Sequence, residues 1–242
     1  MIMKLKQLFK TALALLTFSL SVSAVARQVN SYEVSLDTSL RTVVVKANLE
    51  THGEYLTMDW EAADFLPDGW SHFVREIHAF TPDYTHISLD YEQPGRWKME
   101  HVPAQILLEY VISITHDSII WEEGGHDESA YVLEDLLFMV GRVFLISAGQ
   151  RSDYGEMPEY KVAFQDLPED YQVSTTWMPA GNGDRIWKVK GTRALLSSMV
   201  LIGIQHREQV QDEGVEVVLA GAPAYKPGLQ SFARIFESLV PQ

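Results

Sequence analysis

QILLEYVISITHD, residues 105–117, decides the fold. It is rich in β-branched residues and reads as the strongest strand in the chain. Upstream, RTVVVKANLE (41–50) alternates, with Val43, Val45, Ala47 and Leu49 on one face. That period of two marks a half-buried strand. Residues 29–36 lead into it through a turn at Asp37-Thr38-Ser39, and EYLTMDW (54–60), SHFVREIHAF (71–80) and 85–91 follow. Downstream come YKVAFQDL (160–167), YQVSTTW (171–177), RIWKVKG (185–191), MVLIGIQ (199–205) and VEVVLAG (215–221). Gly, Pro, Asn or Asp separates most of these runs, and Asn182-Gly183-Asp184 is a tight-turn signal. About ten short strands without strand–helix alternation predict an all-β chain, an antiparallel β-sandwich.

Two segments depart from this pattern. Over 130–144, Leu133, Leu136, Leu137, Val140 and Phe144 stand at helical spacing. Gly141 shortens the run, which predicts a short internal helix leading into a strand at 142–148. In GLQSFARIFESLV (228–240), Leu229, Phe232, Ala233, Phe236, Leu239 and Val240 form the apolar stripe of an amphipathic C-terminal helix. Pro227 suits its start, and GAPAYKPG (221–228) reads as a linker. The stripe either folds back on the sandwich or serves a partner, which makes Phe232, Phe236 and Leu239 candidate partner-binding residues.

The first residues read as an address. Lys4, Lys6 and Lys10 precede an uncharged run of 16 residues (11–26) that ends in Ala24-Val25-Ala26. Basic start, apolar middle and small-residue exit predict a cleaved signal peptide over 1–26. The run is short of the roughly 20 residues that span a bilayer. No membrane span is expected after cleavage, and the protein is expected to be periplasmic or secreted. The predicted layout is leader 1–26, β-sandwich 27–221, and linker with helix 222–242.

The full chain has 242 residues, no cysteine and a net charge of −14. Losing 1–26 removes three lysines and no acid, leaving −17. Without cysteine there is no disulfide, thiolate metal site or cysteine nucleophile. An acidic chain repels phosphates, so no nucleic-acid partner is expected.

The sequence contains no H-E-x-x-H, G-x-S-x-G, P-loop or EF-hand pattern. Adjacent acids such as Glu122-Glu123, Glu134-Asp135 and Glu169-Asp170 diverge on regular elements and make no acid/base dyad. No catalytic residue emerges. The richest candidate metal cluster is WEEGGHDE (121–128), with Glu123, His126 and Asp127, preceded by His116 and Asp117. Imidazole with carboxylates suits zinc, and carboxylates alone suit calcium. Gly124-Gly125 and the lack of an i, i+4 ligand pair favour an acidic surface loop, so no metal or cofactor is expected. His72 and His78, six apart, share a face if both lie on one strand. The six tryptophans serve as core or rim anchors more readily than as a ligand groove.

The order of the strand motifs resembles the N-terminal β-domain of the glycyl aminopeptidase family, the sixty-first family of metallopeptidases. The resemblance covers 30–221. It is carried by YEVSLD, TVVVKANLE, FLPDGW (65–70) and LDYEQPGRWKME (89–100, with Arg96-Trp97). ILLEYVISITHD (106–117), VFLISAG (143–149), VAFQDLPEDYQVSTTW (162–177) and ALLSSMVLIG (194–203) continue it. Tyr171 replaces the family's usual Trp, and Ser197-Ser198-Met199 stands where Asp-Ser-Pro is usual. Full members continue into a thermolysin-like domain whose H-E-x-x-H and later Glu hold zinc. Residues 221–242 look like the transition to that domain. The resemblance implies an exported, non-catalytic domain that binds a peptide or protein. The alternative is the N-terminal part of a split or truncated zinc aminopeptidase, its catalytic domain encoded elsewhere.

Overall fold

The computed structural model describes residues 30–63, 65–120, 129–149, 158–181, 185–212 and 215–239. Its strands are β1 (Asn30–Leu36), β2 (Thr42–Glu50), β3 (Tyr55–Met58), β4 (Val74–Phe80), β5 (His86–Ile87) and β6 (Leu89–Glu92). Next come β7 (Arg96–Met99), β8 (Gln105–Ser113), β9 (Tyr131–Leu133), β10 (Leu136–Val140), β11 (Ile146–Ser147) and β12 (Glu159–Phe164). The last are β13 (Gln172–Thr175), β14 (Met178–Pro179), β15 (Ile186–Lys190), β16 (Met199–Gly203), β17 (His206–Asp212) and β18 (Val215–Gly221).

The layers follow from the alternation. The large sheet runs β14-β15-β12-β1-β2-β8-β4-β5. At its centre β2 and β8 pair Val43 with Ile112, Val45 with Tyr110, Ala47 with Leu108 and Leu49 with Ile106. All eight are buried, while Lys46 and Glu109 pair on the outer face at 3.3 Å. Two four-stranded sheets, β13-β16-β10-β9 and β11-β3-β7-β6, bury Val173, Val200, Leu137, Leu56 and Trp97 in the same core. The β17–β18 hairpin stands apart from these sheets. The expected all-β sandwich, with a short internal helix and a C-terminal helix, is the architecture found. Its pairings are antiparallel except for β1 with β12, which run parallel.

Buried tyrosines bolt the layers together. The Tyr110 hydroxyl donates to the Phe144 carbonyl (2.9 Å) and accepts from the Ile146 N–H (3.1 Å). Tyr32 donates to the Ile146 carbonyl (2.9 Å). Burial pushes both phenols well above their ordinary pKa, so they remain neutral donors. Tyr110→Phe strands a buried carbonyl and a buried N–H, and is expected to cost about 2–3 kcal/mol. Tyr32→Phe, which strands one group, should cost about half as much. Urea midpoints decide this, and equal losses in the two variants would disprove the double bridge.

Several local expectations are corrected. Residues 131–140 form a β-hairpin, not a helix, and the internal helix is the single turn Gly141–Phe144. The two-residue turn at Glu134-Asp135 restarts the strand phase, and β10 is buried at Leu136, Leu137, Met139 and Val140. Two-sided burial erases the alternation that identifies a strand. Residues Gly69–Phe73 form a 3₁₀ turn, so the strand expected at 71–80 begins at Val74. His72 and His78 therefore do not share a strand. A second short helix, Thr192–Ser197, precedes β16. The expected leader (1–26), the expected turn (182–184) and the candidate ligands Glu123, His126 and Asp127 lie outside the described residues.

Candidate functional site

The outer face of the β13-β16-β10-β9 sheet supplies one wall of a groove. Register aligns Tyr131 with Phe138, Phe138 with Leu201, and Leu201 with Ser174. Their neighbours in sequence, Leu137, Val200, Ile202 and Val173, point into the core. Strand geometry therefore lays an apolar row on the face opposite the core. The Tyr131 and Phe138 rings stack with centroids 5.0 Å apart.

The second wall is the β17–β18 hairpin, which contributes Arg207, Val218 and Ala220, with Tyr225 just beyond it. The space between holds about 730 Å³. That is the size of a small-ligand or peptide site. Trp177 and Trp187 line its deep side, each packed on Phe164 at 6.4 and 5.6 Å. Trp177 is buried, and its indole Nε1–H finds no acceptor among the described residues. A stranded buried donor is costly and calls for a partner. Arg207 is the one charged side chain among the described lining residues, and it makes no hydrogen bond or ion pair there.

The terminal helix Lys226–Leu239 braces the hairpin. Leu229 sits against Gly221, and Ala233 is buried. The Glu208 carboxylate is bonded by His206 (2.6 Å) and by Gln230 of the helix, which hold it below the usual carboxylate range. The apolar stripe thus folds back only in part. Phe232 is 59% exposed, Ile235 51% and Phe236 39%. The backbone of Leu239 ends the helix, and its side chain lies outside the described ones.

The chain shares its fold with part of an aminopeptidase. The crystal structure of the aminopeptidase N family protein from Idiomarina loihiensis superposes with a TM-score of 0.63 at 15% identity. The match covers 86% of this chain and 35% of that one. Native yeast LTA4 hydrolase matches with a TM-score of 0.45 at 12% identity, over 86% of this chain and 33% of that one. No family model matches the sequence, and no curated protein matches it. This chain spans about a third of that aminopeptidase N family protein's length, and the likeness is one of fold that does not single out the glycyl aminopeptidase family.

Within this aminopeptidase-like fold the other sequence candidates fall into structural places. His116 is fully buried, its ring stacked on Phe73 with centroids 3.5 Å apart. Asp117 pairs with Arg41 at 2.6 Å. Trp70, Trp97, Trp177 and Trp187 are buried, and Trp60 is partly exposed. Glu134 and Asp135 form the β9–β10 turn. Among the described residues no three His, Asp or Glu side chains gather as a metal site, and no helix is long and apolar enough to cross a membrane. Sequence reasoning missed the groove and Ile235. Alternation of Met199 and Leu201 against Val200 and Ile202 was the available signal for the groove's sheet wall.

Proposed function

We propose that the chain is an exported, non-catalytic β-domain of the glycyl aminopeptidase type, which binds a peptide or a protein partner. The observation that carries this reading is the fold match over about a third of an aminopeptidase. The order of the strand motifs supports the narrower family, and the basic-apolar-small start of the sequence supports export. Residues 27–221 would form the binding domain, with 222–242 its linker and helix. Incubated with zinc, the purified chain is expected to leave glycyl and alanyl p-nitroanilides intact. Hydrolysis abolished by a chelator would overturn the non-catalytic role.

The exposed Phe232, Ile235 and Phe236 favour a second reading, the N-terminal part of a split zinc aminopeptidase. Here Phe232, Phe236 and Leu239 would pack against a separately encoded catalytic domain. Phe232→Ser with Phe236→Ser should change stability by only about 1 kcal/mol, because both rings are exposed. The same pair should abolish co-purification with that domain. A neighbouring reading frame without H-E-x-x-H and a later Glu ends this second reading.

A further inference from the structure

We propose that the groove receives an extended peptide that adds as a strand along residues 172–179 and sets a carboxylate against Arg207. This deepens the peptide-binding reading above and rests on it.

The placement comes first from which residues line the groove. Backbone or side-chain atoms of all seven residues from 173 to 179 line it, although the Val173 side chain itself points into the core. The run holds two strands, β13 and β14, joined by a bend at 176–177, so the groove passes along the outermost strands of two sheets. Among the described residues β13 ends its sheet and pairs only with β16, while β14 ends the large sheet and pairs only with β15. The Gln172 carbonyl is taken by the Gln205 side-chain amide, and no strand covers the rest of this edge among the described residues. An open edge offers main-chain donors and acceptors to an incoming strand.

The ligand's chemistry comes from two groups, the buried Trp177 indole and the exposed Arg207 guanidinium. The buried Trp177 indole N–H needs an acceptor, which a peptide carbonyl supplies. Arg207 has no ion-pair partner among the described residues and lies beside an apolar wall of Leu201 and Val218. It matches a carboxylate carried by an otherwise apolar guest. An acyl chain would satisfy Arg207 and the wall, but it would leave the strand edge and the indole unpaired.

The test uses the full chain and the probe acetyl-Ser-Val-Thr-Phe-Val-Glu amide. Two controls accompany it, one with Gln for Glu and one N-methylated at alternate amides. Binding is followed by Trp fluorescence and by amide exchange. The Glu probe is expected to bind and to protect amides within 172–179. N-methylation, which removes strand-pairing donors, should weaken binding at least about tenfold. Arg207→Gln should weaken the Glu probe about tenfold, to the level of the Gln probe, and leave the Gln probe unchanged. Equal binding of the N-methylated probe, no protection at 172–179, or indifference to Arg207→Gln would each overturn the proposal. Binding lost in the Phe232→Ser and Phe236→Ser pair but kept in Arg207→Gln would move the site to the helix. That result would overturn the groove while leaving the binding reading in place. Chelator-sensitive hydrolysis of the probe would instead overturn the non-catalytic reading and leave the groove standing.

Discussion

Gly203→Ala is expected to destabilise the protein by about 3–5 kcal/mol, the range of steric damage that cannot relax. Gly203 has φ +133°, a conformation that side chains rarely adopt. A Cβ there would lie 1.9 Å from the Asp135 carbonyl oxygen and 3.1 Å from the Leu136 Cα. Both are backbone atoms, so no rotamer change relieves the clash. The residue is also flanked on both sides, registered with Leu136 on β10 and Gln172 on β13. Relief means separating those strands, which also breaks the apolar row lining the groove. Gly228→Ala is the control. Nothing lies within 4 Å of its added Cβ, and it sits in the terminal helix. There alanine should be neutral or stabilising by up to about 1 kcal/mol. Urea unfolding followed by Trp fluorescence distinguishes the two, and similar effects at both positions would refute the close approach.

The second large effect is acid lability through His116. Burial among Trp70 and Phe73 pushes its pKa down from the ordinary 6.5 to about 3, with His72 adding a smaller push. Between those values the unfolded chain binds a proton at this site and the folded chain does not. Stability from this group is therefore complete above about pH 6.5 and is lost as pH falls, by roughly 1.4 kcal/mol per pH unit. From neutral pH to pH 5 the loss should be on the order of 2 kcal/mol. His116→Phe keeps an aromatic ring beside Phe73 and removes the titration. Its urea midpoints should fall less steeply between pH 7 and pH 5 than those of the unsubstituted chain. Identical slopes, or a His116 ring that titrates near 6.5 by NMR, would refute the prediction.

The fold was legible where one face is wet and the other dry. In β2 and β8 the buried residues alternate with Lys46 and Glu109, and the sequence states this directly. It was illegible in β9–β10, where a turn without glycine joins strands whose apolar residues fall at helical intervals. β17 also escaped notice, because HREQVQD carries charges on a strand that buries only Val210 among its described side chains. Apart from the alternation in β16, the groove has no local signature. It joins a sheet's outer face, a hairpin and an edge from separate parts of the chain, and only the pairing order brings them together. The terminal helix showed its apolar stripe plainly, but one sequence cannot say which part of a stripe is covered. Leu229 and Ala233 are, whereas Phe232, Ile235 and Phe236 are not.

The parallel pairing of β1 with β12 sets a timetable for biosynthesis. Asn30 meets Tyr160, 130 residues later in the chain. β1 can pair with β2 as soon as Glu50 has emerged, but its other side waits for β12. At ribosomal speeds of about 5–20 residues per second, that wait is roughly 5–22 s. Throughout it, one long flank of the central sheet is open to any neighbouring nascent strand. A chaperone or holding factor that acts on this protein has its work concentrated in that interval.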